Sequence, residues 1–149
     1  MLTKVHVHPD EASFKAWLAT ASDVFRNGPD GKPRPTTQIG LTLARKNGCL
    51  ACHSLDGSKG TGPSWKDMFG HQGKFADGTD YTADENYIRE SILYPTKHLV
   101  AGYGGAMPSY LGKISDREIT AMIQYLKSIS SNYKGDRVEP VSYTHLTLP

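Results

Sequence analysis

The stretch Cys49-Leu50-Ala51-Cys52-His53 decides how the rest of the chain is read. Two thiols three positions apart can each add to one vinyl group of a haem. The histidine that follows then lies under the iron and can ligate it, and Cys-x-x-Cys-His is the attachment pattern of c-type haem. Three other chemistries compete. A thioredoxin-type dithiol needs a preceding strand in a βαβ setting, whereas a helical pattern precedes Cys49 and a glycine-rich run follows His53. A zinc site needs a fourth ligand, for which His71 is a candidate, and usually a second cysteine pair. A structural disulfide has no use for His53. Cys49 and Cys52 are the only two cysteines, so a disulfide framework is excluded.

Upstream of the motif, Thr36 and Thr37 are candidate N-caps for a helix with Ile39, Leu43 and the stem of Lys46 along one face, broken at Gly48. Downstream, residues 54–80 are rich in glycine and proline and lack periodicity. They read as a long irregular loop with one short turn near 65–69, and unsupported loops of this length are uncommon unless something binds in them. Thr82-Ala83-Asp84-Glu85 has a capping-box pattern. It opens a helix with Tyr87, Ile88, Ser91 and Ile92 on one side, ended by Pro95. Residues 96–114 are loop again, centred on Gly102-Tyr103-Gly104-Gly105-Ala106-Met107-Pro108. Ser115-Asp116-Arg117-Glu118 is a second capping box, and Ile119, Met122, Ile123, Leu126 and Ile129 then share one helical face.

The two ends have a different texture. In residues 1–27, Val5 and Val7 alternate with Lys4, His6 and His8 as in a short edge strand. Pro9 ends it, and Asp10 or Ser13 caps a short helix with Phe14, Trp17 and Leu18 on one face. Residues 28–37, with their prolines and glycines, read as a linker. Residues 132–149 lose the pattern and read as a tail outside the fold, either disordered or foreign to the natural chain. The domain between, 38–131, holds the motif.

Composition narrows the function classes. The chain has 149 residues, a formal charge of +2 and only 38% hydrophobic residues, with 15 glycines and 9 prolines. Such a thin apolar content suggests that something other than side chains fills part of the core. No broad basic field exists to grip nucleic acid. No run of about 18 apolar residues exists to span a membrane. No charged-then-apolar leader opens the chain, so an exported protein is expected here as a mature form or an excised piece.

Iron held by one histidine leaves the far side to be decided. Methionine there makes an electron-transfer centre, and an open site favours ligand chemistry. Met1 is terminal, Met122 falls in the apolar stripe of the last helix, and Met68 reads as packing in a short turn. Met107, in a glycine-rich loop before the rigid Pro108, is the expected sixth ligand; the alternative is that it packs its own loop. A ligating histidine usually gives its other N–H to a carbonyl, and Pro63 in the Gly62-Pro63 turn is the expected acceptor. Trp65, Tyr81, Tyr87, Arg89 and Tyr110 are candidates for the two propionates, with ordinary aromatic packing or a solvated arginine as the plainer reading. Ile92 and Pro108 complete the candidate cofactor contacts.

With these residues in order, positions 38 to about 130 resemble a class I cytochrome c. Helix then Cys49-x-x-Cys52-His53, Gly62-Pro63-Ser64-Trp65 with Phe69-Gly70, Ala106-Met107-Pro108 and the closing Ile119–Leu126 run occur in that family's order. The resemblance implies an all-α fold, about four helices around one covalently attached haem c, with Met107 and Pro63 in the roles argued above. It implies that the last helix crosses the first, with Tyr125 and Leu43 at the crossing and Gly40 permitting close approach.

A narrower resemblance covers the whole chain. The run 82–95 and Met107-Pro108-Ser109-Tyr110 are similar to cytochrome c domains fused behind subunit II of caa-type haem–copper oxidases. Residues 1–18 look like the last strand and helix of that subunit's cupredoxin domain, with Met1 either a remnant of a copper ligand or an initiator. The implied function is one-electron transfer, outside the cytoplasm, from a small respiratory donor protein or complex to the binuclear copper of the oxidase. The implied partners are the copper domain and the remaining oxidase subunits. No side chain is cast for acid–base chemistry, so an enzyme is not expected in this piece alone. A free-standing soluble cytochrome c is the nearest alternative, and a haem-based ligand sensor or peroxidase a more distant one. A thiol–disulfide protein without haem is the third.

Overall fold

The computed structural model describes residues 7–28 and 31–135. The chain divides into two compact units, Met1–Arg34 and Pro35–Pro149. In the first, helix α1 (Glu11–Ser22) is capped by Asp10, whose carboxylate accepts the Ser13 N–H at 2.6 Å. Phe14 and Trp17 share one face and meet the ring of His8. Residues 4–6 of the expected strand lie outside the described residues, and Val7 and His8 belong to no strand.

The second unit is mostly helical. It runs α2 (Thr36–Lys46), a 3-10 turn (Cys49–Ala51), β1 (Gln72–Lys74), β2 (Asp80–Thr82), α3 (Glu85–Leu93) and α4 (Asp116–Ser128). Its core is the crossing of α2 and α4. Ile39, Leu43 and Ala44 on α2 pack with Ile119, Met122, Ile123 and Leu126 on α4, all buried. Gly40 makes the crossing possible, because a Cβ there would stand 2.2 Å from the Ala121 carbonyl oxygen. Full burial of each large aliphatic side chain contributes about 1.5–3 kcal/mol, so this seam is the main apolar store of the unit.

Helix α4 starts where expected. Ser115 accepts from the Glu118 N–H while the Glu118 carboxylate accepts from the Ser115 N–H, a complete capping box. The other two starts differ from the sequence reading. Pro35 occupies the N-cap of α2 and no side chain caps it, because Thr36 is already helical and buried. Lys46 is exposed, so its stem is not part of the α2 core face. Helix α3 is capped by Asp84, which accepts the Tyr87 N–H at 2.8 Å; Thr82 ends β2 instead of opening a capping box.

The long loop is not wholly irregular. β1 and β2 pair antiparallel, with Gly73 opposite Tyr81, and Phe75 forms a bridge with Val100. This small hairpin is an addition to the all-α expectation. The expected tail boundary also moves. Ser131, Asn132 and Tyr133 bond to or pack on residues 67–69. Residues 136–149 lie outside the described residues.

Candidate haem site

Helix α2 ends at Lys46, and Gly48 turns the chain with φ +72°. That left-handed turn is glycine's province. It delivers Cys49, Cys52 and His53 into one tight bend, closed by the His53 N–H to Cys49 carbonyl bond at 3.1 Å. All three side chains line one largely apolar cleft. The opposite walls come from α3, the loop 95–110 and the α4 residues Met122 and Leu126.

His53 is buried and held on three sides. Its Nδ1 donates to the Pro63 carbonyl at 2.7 Å. A carbonyl can only accept, so the ring proton sits on Nδ1 and Nε2 keeps the lone pair a metal needs. A Cβ on Gly62 would approach the His53 ring to 2.6 Å, so glycine is what lets the loop close on the imidazole. Trp65 stacks on the ring at 5.3 Å and 26°. Burial pushes the His53 pKa below its ordinary value, against an opposing effect of the Pro63 bond, and so favours the neutral, ligating form.

Cys49 and Cys52 are free, half-buried thiols. Burial pushes the Cys49 thiol up, partly offset by hydrogen bonding from its own backbone and from Tyr110. The competing readings of the motif fare worse. Among the described residues no group of three or more His, Cys, Asp or Glu side chains is arranged to hold a metal ion by itself. His71 is exposed and meets the Tyr81 ring, away from the thiols. A free thiol pair with a buried imidazole beside a large apolar cleft fits a covalently attached macrocycle.

Met107 lines the same cleft and is half-buried. Its loop is tied down just after the methionine. The Ser109 hydroxyl donates to the Leu93 carbonyl at 2.7 Å, and the Tyr110 N–H to the Ile92 carbonyl at 3.2 Å. The Tyr110 hydroxyl reaches the Asn47 carbonyl at 2.8 Å, beside the cysteine turn. Pro63, Trp65, Tyr87, Ile92, Pro108 and Tyr110 all line the cleft. Tyr81 does not. It stacks on Tyr87 at 4.6 Å and on Phe75 at 4.6 Å, one layer behind the wall. Arg89 is also away from the cleft, on the flank of α3 that faces the start of α4. It pairs with Asp116 and with the Thr120 hydroxyl at 3.2 Å, so the propionate role does not fit it.

Met68 and Met122, read from the sequence as packing, line the cleft too, as do Leu99 and Val100. For Met122 the signal was present, since an apolar stripe facing a partly empty core must border the space. Met68 and Val100 carry no such signal, because turns and a single bridge bring them there.

Fold and site together define a domain built around one covalently bound haem. A family model described as cytochrome c matches residues 37–130. Cytochrome c2 from Rhodoplanes tepidamans is 32% identical over 90 residues, covering 56% of this chain and 92% of that protein. The chain belongs to the cytochrome c family. It therefore carries covalent haem c on Cys49 and Cys52, with His53 completing the motif, and serves haem-based electron transfer between redox partners. No helix among the described residues is long and apolar enough to cross a membrane.

Proposed function

We propose that this chain is a one-electron carrier whose haem iron is held between His53 and Met107. The observation that carries this reading is that both side chains line one cleft, while Tyr110 ties the Met107 loop to the turn that carries the cysteines. When bound, the haem supplies a reversible one-electron couple, and a thioether ligand favours its reduced form. The chain's own residues do the rest. Pro63 and Trp65 fix the imidazole, the apolar walls exclude water, and Ser109 and Tyr110 hold the methionine loop in register.

We further propose that the carrier works outside the cytoplasm as the cytochrome domain of a haem–copper oxidase subunit II. There it would take electrons from a small respiratory donor and pass them to the binuclear copper centre of the preceding domain. Support comes from the separate N-terminal unit that precedes Pro35 and from the likeness of residues 82–95 and 107–110 to that subunit. A free-standing soluble cytochrome c is the second reading, favoured by the 92% of cytochrome c2 that the match covers. The test is the gene upstream of Met1. A Cys-x-x-x-Cys followed shortly by His supports the oxidase, and absence of that copper motif leaves the free carrier.

A further inference from the structure

Asp67 is the one non-glycine residue with positive φ among the described residues, at +56°. L side chains rarely adopt this conformation, and it persists where the surroundings over-determine it. Here they do. The Asp67 carboxylate accepts the Ser131 N–H at 2.7 Å, and its carbonyl accepts the Asn132 side-chain amide at 3.2 Å. Two residues on, the Phe69 N–H donates to the Ser130 hydroxyl at 2.9 Å. The Phe69 and Tyr133 rings meet edge-on at 5.3 Å, with the Lys127 ammonium 5.0 and 5.1 Å from their centres.

The segment gripped in this way is short and reaches the site at both ends. Trp65 stacks on His53, the Met68 N–H donates to the Trp65 carbonyl at 3.2 Å, and Met68 lines the cleft. We propose that Asp67 is a positioning residue for the haem pocket: its carboxylate locks the turn 65–70 onto the end of α4 and so fixes Trp65 against the His53 ring. The inference rests on His53 as a ligand of the haem. It places part of the control of the iron's environment about a dozen residues beyond the attachment motif, on a surface carboxylate.

The test uses the haem-loaded protein with Asp67→Gly and Asp67→Asn. Glycine accepts the left-handed backbone but removes the acceptor, whereas asparagine tolerates that backbone and keeps an acceptor oxygen. Haem content is first checked by the pyridine haemochrome spectrum. Two readouts follow, the hyperfine-shifted proton resonances of the His53 ring in the oxidised protein and the reduction potential. In Asp67→Gly the His53 resonances should move and the potential should fall, because a loosened Trp65 admits water beside the macrocycle and water favours the more charged oxidised state. Asp67→Asn should restore both. Unchanged resonances and potential in Asp67→Gly, with only a lower melting temperature, would overturn the inference and leave a merely structural clasp. So would an Asp67→Asn protein that behaves like Asp67→Gly. Absence of haem from the wild-type protein would instead overturn the ligation reading on which the inference rests.

Discussion

Gly40 and Tyr125 face each other so closely that a Cβ on Gly40 would lie 2.7 Å from the Tyr125 Cβ. The Ala121 carbonyl is nearer still, and a backbone oxygen cannot rotate away. Gly40→Ala therefore has to part α2 from α4. We expect a loss of about 1–3 kcal/mol, the usual cost of overpacking a tight core. The melting temperature followed by far-UV circular dichroism should fall by at least about 4 °C for a domain of this size. A variant melting with the wild type would mean that the crossing is looser than described.

Three methionines border the cleft, so single substitutions separate them. Met107→Ala should keep the haem attached, abolish the methionine–iron charge-transfer band of the oxidised protein and lower the potential. Met68→Ala and Met122→Ala should keep the band, although Met122, fully buried, should cost about 2–5 kcal/mol. Disappearance of the band in Met68→Ala alone would reassign the ligand.

Acid should weaken the junction between α3 and α4. The Lys127 ammonium, only 10% exposed, pairs with Glu85 and holds that carboxyl below its ordinary value of 4.5. Because the folded value is the lower one, the contribution is complete above about pH 4.5 and is lost as pH falls through the folded value. Glu85→Gln should therefore show a flatter fall in stability below pH 4.5 than the wild type, measured by urea unfolding across pH. Parallel curves would remove Glu85 from the acid response.

Charge steering should be weak. Cations and carboxylates interleave between Arg45 and Lys113, whereas Ala51, Leu55, Ala101, Ala106 and Pro108, beside the ligands in sequence, are all exposed. Reduction by the physiological donor should slow less than about tenfold between low and physiological salt, where the screening length is roughly 8 Å. Stopped-flow reduction against ionic strength measures this. A fall of two decades or more would reveal a charged face that the linear order of residues conceals.

The site was legible wherever chemistry demanded a particular residue at a particular spacing. Cys49, Cys52 and His53 could be named because a thiol pair and an imidazole at that spacing have few substitutes, while Pro63 and Met107 line the same cleft. The α2–α4 seam was legible from its 3.6-residue periodicity. The hairpin was not, since β1 and β2 have three residues each and Gln72-Gly73-Lys74 shows no alternation of apolar side chains. Arg89 was misplaced because a cation near a pocket in sequence can turn either way, and Asp116 and Thr120 on α4 drew it to the far flank. The packing of residues 132–133, read as tail, was missed for a related reason. The bonds of Ser131 and Asn132 to Asp67 span more than sixty residues and involve backbone groups that no side-chain pattern advertises.

The crossing at Gly40 joins the two ends of the haem domain, and every wall of the cleft except Met122 and Leu126 of α4 hangs in the stretch between them. Bringing α2 and α4 together closes a loop of residues 47–115, at a chain-entropy cost on the order of 4 kcal/mol. That cost falls once for the whole domain and is offset mainly by one helix pair. Opening the crossing would release that loop. The thiols and imidazole would stay clustered, since Cys49, Cys52 and His53 are neighbours in sequence and need no closed loop to remain so.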